Sequence, residues 1–181
     1  MKKRKEVLNE DEMRRAITRM TYEVLERNHG HENMAIVGIR TRGAVIAERI
    51  AQRIEELEGV KIPLGFLDVS GYRDDVTSLE RKQTLHLNQL DFSVTGKHVF
   101  ICDDVLMTGR TIRATMDALV DYGRPSKISL VTLIDRGHRE LPIRADIVGK
   151  NIPTSREEAV QVRIKNCDPE DGVYIIQSLK H

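Results

Sequence analysis

Apolar residues recur near the start of the chain at steps of four, three and four, as Met13, Ile17, Met20 and Val24. That period gives one buried face of an amphipathic helix, and Asn9 with Glu12 has the spacing of a capping box at its start. Residues 34 to 39, MAIVGI, are apolar without a break, as expected of a strand covered on both faces. The turn RTRG follows, and residues 44 to 57 then put Ile46, Ile50, Ile54 and Leu57 on a second helical face. VKIPLGFLDV, residues 60 to 69, reads as another strand. The polar, glycine-marked stretch from 70 to 84 has no clean period and reads as a long loop, closing into a hairpin with residues 85 to 92. After it come a β-prone segment at 99 to 102, a turn, a helix over 111 to 123 stopped by Gly123 and Pro125, and a strand over 127 to 135.

Strand, loop and helix thus alternate twice. The order predicts an α/β fold with a mainly parallel, twisted sheet flanked by helices, whose ligands sit at the carboxyl ends of the strands. Beyond residue 136 the chain has strand-like pieces but no helix-length period, so residues 136 to 181 are expected to supply most of a small hood on a single domain spanning residues 1 to 181. There are no internal repeats.

Composition narrows this picture only slightly. With 40% hydrophobic residues, a chain of 181 can bury one core of ordinary size. Lys and Arg total 29 against 28 Asp and Glu, so a nucleic-acid partner would have to meet a local basic patch rather than a global charge. No apolar run approaches the roughly 18 residues of a membrane span, and the N-terminal MKKRKEVLNEDEM lacks the apolar stretch of a secretory signal. A cytoplasmic protein without membrane contact is expected. Cys102 and Cys167 lack metal-ligand spacing and read as reduced, structural thiols.

The candidate chemistry lies in VFICDDVLMTGRT, residues 99 to 111. A strand that ends in two carboxylates and passes through a glycine turn into a helix surrounds one small cavity with backbone N–H donors and acids. Thr108 to Thr111 at the helix start suit a phosphate, which unpaired amides and the helix dipole would hold. Neither a Walker A ending nor a GxGxxG pattern is present, which disfavours nucleoside triphosphatases and dinucleotide enzymes. Asp103 and Asp104 admit two readings. One carboxylate could cap the next helix while its neighbour stays solvated, or the pair could take up the vicinal hydroxyls of a ribose or help seat a divalent cation.

The same thirteen residues resemble the phosphoribosyl pyrophosphate motif of type I phosphoribosyltransferases, and IRTRG after the first buried strand resembles their pyrophosphate loop. VGIRTRG, YRDD, DALVDYGRP and LIDRGHRELPIRADIVGKNIPTSR together resemble the branch of pyrimidine-operon attenuation regulators that are also uracil phosphoribosyltransferases. The resemblance implies transfer of phosphoribosyl from 5-phosphoribosyl 1-diphosphate to uracil, giving UMP and diphosphate. It implies UMP-dependent binding of pyrimidine-operon leader RNA as well, on a homodimer or larger homo-oligomer. The alternative is that only one of the two activities is retained.

Site roles also follow from the resemblance. Asp103 and Asp104 would hold the ribose hydroxyls, and Val105, Leu106, Met107, Thr108, Gly109, Arg110 and Thr111 the 5-phosphate. Thr41 and Arg42 would meet pyrophosphate, with Mg²⁺ bridging the donor's diphosphate and ribose oxygens. Arg136 and the backbone near Val160 would frame uracil. Tyr72, Arg73, Asp74 and Asp75 would lie in a loop that closes over the site, where Arg73 would join Arg42 in stabilising the leaving charge. RNA would meet Arg15, Thr18, Arg19, Tyr22 and Arg27 on the first helix, together with Arg139, Arg144 and Lys150 of the hood. Position 22 is Tyr where several members carry His, and Met107 stands where an aromatic residue is common.

Overall fold

The computed structural model describes residues 2–70 and 90–178. The expected loop residues Tyr72, Arg73, Asp74 and Asp75, and most of the proposed hairpin, lie outside the described residues. Five parallel strands run in the spatial order Leu64–Leu67 (β3), Met34–Ile39 (β2), His98–Leu106 (β4), Lys127–Asp135 (β5) and Ile147–Asn151 (β6). A second, antiparallel sheet sets Lys2–Leu8 (β1) beside Gly172–Ser178 (β8), and β8 beside Glu158–Arg163 (β7). Among the described residues the helices are Glu10–Arg27 (α1), Arg42–Glu58 (α2) and Arg110–Leu119 (α3), the last running into a 3-10 turn at Val120–Tyr122.

The main sheet is covered on both faces, which is why its central strands are apolar without alternation. Met34, Ile36, Phe100, Cys102 and Val131 pack towards α1 and α2, whereas Ala35, Val37, Val99, Ile101 and Leu130 pack towards α3. α1 is held at its start as its sequence predicts: Glu12 N donates to Asn9 Oδ1 at 2.9 Å and Asn9 N to Glu12 Oε2 at 2.9 Å. Its apolar stripe, Met13, Ile17, Met20 and Val24, is wholly buried.

Three expectations need adjusting. Leu57 is 39% exposed although it shares the spacing of Ile46, Ile50 and Ile54, because it sits in the last turn before the left-handed cap at Gly59 and projects past the core. The strand expected over 60 to 69 is confined to Leu64–Leu67, starting just after Pro63, whose carbonyl still accepts Ile36 N at 2.9 Å. The small sheet draws on both ends of the chain: no sequence signal marked β1 as a strand, yet it pairs along its length with β8.

The strand order sets the position of the site. From β2 the chain first moves outward to β3 and then returns to place β4 on the other side of β2. The connections therefore diverge between β2 and β4, leaving a crevice beyond their carboxyl ends, the usual ligand position in such sheets. A β-carbon built on Gly38 would lie 2.6 Å from Ala44 Cα, so glycine there lets α2 settle directly against β2.

Candidate active site

The crevice between β2 and β4 is bordered by two helix starts. α2 begins at Arg42 and α3 at Arg110; neither has an acidic residue in its first turn or a side-chain bond from its N-cap residue, and at α3 the Arg110 amide donates to Thr108 Oγ1 at 3.3 Å. α1, by contrast, has Glu10, Asp11 and Glu12 in its first turn as well as the capping box. The positive ends of α2 and α3 are thus not met by an acid of their own first turns.

Asp103 and Asp104 lie between them. Asp103 is buried, and its Oδ1 accepts Asp104 N at 2.9 Å; Asp104 is half-buried, with Oδ1 accepting Val105 N at 2.9 Å. Burial, reinforced by the neighbouring Asp104 charge, pushes the Asp103 carboxyl well above the usual carboxylate range. The N-cap reading of this pair is not what forms, because the N-cap of α3 is Gly109, with φ of 92°. Gly43 brings the two loops together. A β-carbon there would lie 2.6 Å from Cys102 O and 3.1 Å from Asp103 Cα, so any larger residue would push the α2 start away from the acids. The Arg40–Thr41 peptide in this loop is cis.

Cys102 is fully buried beneath the acids, and burial pushes its thiol up, in line with a packing role. Cys167 is exposed, in the turn after β7.

Arg42 is committed to an ion pair: Nε meets Asp168 Oδ2 at 3.0 Å and Nη2 meets Asp168 Oδ1 at 2.9 Å. About two turns further along the same face of α2, Arg49 grips Asp171 in the same two-pronged way, at 2.8 and 3.0 Å. Sequence reasoning missed both aspartates, which lie 126 and 122 residues from their partners. The Arg42 hydrogen bond holds the Asp168 carboxyl below the usual carboxylate range. Since the folded pKa lies below the unfolded one, the stabilisation is complete above about pH 5 and is lost as pH falls through the folded value. Asp168→Asn should lower Tm at neutral pH by about 2–4 °C, for a pair contributing on the order of 1 kcal/mol. In a series of melting curves from pH 7 to 3 the gap to wild type should narrow; a constant gap would mean that the carboxylate charge contributes nothing.

Arg136 is buried and donates to Thr154 Oγ1 at 3.1 Å, Ser155 O at 3.1 Å and Glu158 O at 2.6 Å. It thereby fixes the turn that leads into β7, the strand carrying Val160. Beside it, at the carboxyl ends of β5 and β6, a cavity of about 460 Å³ is lined by Arg136, His138, Arg139, Ile152 and Thr154 among others. His138 Nε2 lies 2.5 Å from Thr154 O on the same wall.

Residues 3–166 match the family model described as the phosphoribosyl transferase domain. The chain belongs to the phosphoribosyltransferase family. It is 51% identical to the bifunctional protein PyrR of Caldicellulosiruptor bescii, with 98% of this chain and 97% of that protein covered. It is 54% identical to the bifunctional protein PyrR of Latilactobacillus sakei, with 94% and 97% covered. Among solved structures, the hypoxanthine phosphoribosyltransferase of Trypanosoma cruzi superposes with a TM-score of 0.72 at 19% identity, covering 97% of each chain. At that identity the likeness shows a shared fold.

The basic residues expected to meet RNA fall into separate places on this phosphoribosyltransferase. Arg19 and Arg27 reach across from α1 to the main chain around β6: Arg19 Nη2 to Gly149 O at 2.5 Å and Arg27 Nη2 to Asp146 O at 2.8 Å. Arg15 and Tyr22 are exposed on the same helix, and Arg144 and Lys150 are exposed on either side of the segment that Arg19 and Arg27 grip. These six therefore belong to one region. Thr18, three residues after Arg15 and four before Tyr22 on the same helix, also borders the groove between α1 and α2, lined by Arg14, Arg49 and Arg53. Arg139 points inward, donating to Ile143 O, Met107 O and the Asp135 carboxylate. Among the described residues no helix is long and apolar enough to cross a membrane.

Proposed function

We propose that the chain transfers phosphoribosyl from 5-phosphoribosyl 1-diphosphate to uracil, and that with UMP bound it grips pyrimidine-operon leader RNA in the cytoplasm. What chiefly supports the catalytic half is the pair of helix starts on either side of Asp103 and Asp104, both free of first-turn acids and without an N-cap side-chain bond. One suits a 5-phosphate and the other a diphosphate, while the acids between them suit ribose hydroxyls.

In the reaction, uracil N1 gives up its proton and displaces diphosphate at the anomeric carbon, the proton leaving alongside the diphosphate, so positive charge grows on the sugar and negative charge on the leaving group. Asp104 favours the cationic sugar. Arg42, once drawn from Asp168 to the diphosphate, and the α2 amides favour the leaving anion. The described residues contain no group of three or more His, Cys, Asp and Glu able to cage a metal. Two adjacent acids fit a Mg²⁺ brought in with the substrate, which Asp103 or Asp104 would help to hold. When bound, such an ion supplies charge neutralisation to the departing diphosphate. Arg73 would add to it as the covering loop closes, which also keeps water from the donor. Arg136 acts on the base through the 154–158 turn that it holds.

The RNA half rests on the exposed cations gathered along α1 and β6, with Tyr22, 53% exposed, available to stack on a splayed base. The concave face of a homodimer or larger assembly would present two such regions.

Two assays on one preparation test the reading: UMP formation from uracil and donor, and leader-RNA gel shift with and without UMP. Only one positive result would leave a nucleotide sensor or a salvage enzyme. Ligand linkage gives a third measure. UMP at a hundredfold excess over Kd should raise Tm by about 5–10 °C, and Thr111→Ala with Gly109→Ala should remove most of that rise. An undiminished rise would place the nucleotide elsewhere.

A further inference from the structure

Three successive carbonyls, of Leu106 at the end of β4 and of Met107 and Thr108 in the loop before α3, are each held from one side. Leu106 O accepts Arg136 N at 3.1 Å, and Thr108 O accepts Glu140 N at 3.0 Å and Leu141 N at 3.1 Å. Between them, Met107 O accepts a side chain, Arg139 Nη1 at 2.9 Å. These peptides are trans, and in a trans peptide the N–H points opposite to the C=O. Fixing carbonyls 106, 107 and 108 towards the 136–141 segment therefore turns the amides of Met107, Thr108 and Gly109 the other way, into the crevice at the start of α3. The phosphate cup is shaped from behind.

The outer two carbonyls are held by backbone amides, whereas the middle one is held by a guanidinium. We propose that Arg139 is a positioning residue for the 5-phosphate site, holding the Met107–Thr108 peptide in its anion-binding orientation, and that its part in RNA binding is exerted through this loop rather than by touching RNA. The inference rests on the nucleotide site proposed above.

The rest of the Arg139 environment fits this role. Its Nε donates to Ile143 O at 2.7 Å and its Nη2 to Asp135 Oδ2 at 2.5 Å, while Asp135 Oδ1 accepts Gly137 N at 3.0 Å. Three donors of one rigid fork thus join the end of β5, the phosphate loop and the Ile143 turn. That turn packs on the loop as well, since a β-carbon on Gly109 would lie 3.2 Å from Ile143 Cβ. A lysine at 139 would keep the charge but has one nitrogen and cannot serve three acceptors in fixed directions. Charge alone would suffice for an RNA phosphate; here geometry matters.

The test uses Arg139→Lys and Arg139→Met in the full chain. Affinities for UMP and uridine are measured by calorimetry, kcat and KM by UMP formation, and RNA affinity at saturating UMP. The proposal expects both variants to raise Kd for UMP and KM for the donor about tenfold, the worth of one hydrogen bond left unmade. Uridine affinity, kcat and RNA affinity at saturating UMP should each stay within about threefold. The UMP-to-uridine ratio isolates the phosphate from general loosening of the loop. Unchanged UMP affinity with weaker RNA binding at saturating UMP would make Arg139 an RNA contact and overturn the proposal. Equal losses for UMP and uridine would overturn it too. If the Met variant fails to fold, the Lys variant carries the comparison alone. Wild type that binds no UMP would instead remove the nucleotide-site reading, a failure visible before any variant is made.

Discussion

Asp104→Asn should reduce kcat/KM for UMP formation by about two orders of magnitude or more, the loss associated with removing an electrostatic partner of the transition state. Asp103→Asn should cost less, roughly tenfold. The asymmetry comes from their surroundings. Asp103 is buried and is pressed by the α2 start through Gly43, so it has little freedom to address a sugar. Its carboxyl is also pushed towards the neutral form. Asp104 is half-buried and close enough to Arg42 to favour that residue's charge. Steady-state rates for both variants, with donor and uracil varied in turn, decide the matter. Near-wild-type turnover by Asp104→Asn would end the ribose assignment, and equal losses would end the division of labour.

The RNA face should give the second large effect. Arg15→Glu combined with Arg144→Glu should weaken leader-RNA binding by roughly tenfold to a hundredfold near physiological salt, from about 0.9 in the salt slope for each phosphate that is no longer neutralised. The slope of log K against log salt should flatten by about 2 per protomer. These two positions are preferable to Arg19 and Arg27, whose guanidinia also anchor α1 to the main chain at Gly149 and Asp146. A change at Arg19 or Arg27 would mix folding with recognition. UMP synthesis should be unaffected, since neither Arg15 nor Arg144 borders the crevice. Gel shifts at several salt concentrations with UMP present, and turnover on the same samples, make the comparison. Parallel salt slopes for variant and wild type would show that these cations do not meet RNA phosphates.

Local patterns carried the parts of this molecule that local physics controls. The α1 capping box, the unbroken strands at 34 to 39 and 127 to 135, and the acid-to-glycine passage at 103 to 109 were all legible because each depends on neighbours a few residues away. The pairing of β1 with β8 was not, since a charged KKRKEVL segment has no alternation that marks a strand; it is ordered by a partner at the far end of the chain. Asp168 and Asp171 were silent for the same reason. Arg139 shows a subtler limit. As an arginine in a basic stretch it reads as a surface cation, and only the direction of its guanidinium, towards Met107 O and Asp135, gives it an inward task. The sign of a charge can be read from sequence; the direction in which a long side chain turns is decided by packing.

Asp103 has a cost of its own. A carboxyl whose folded pKa exceeds its unfolded one opposes folding whenever the solution favours its ionised form, so its presence weakens the protein near neutral pH. Neutral residues at 103 relieve that penalty. A laboratory selection that rewarded heat resistance alone would therefore drift towards discarding this acid, and a breeding scheme for a sturdier variant has to score turnover in every round to keep it.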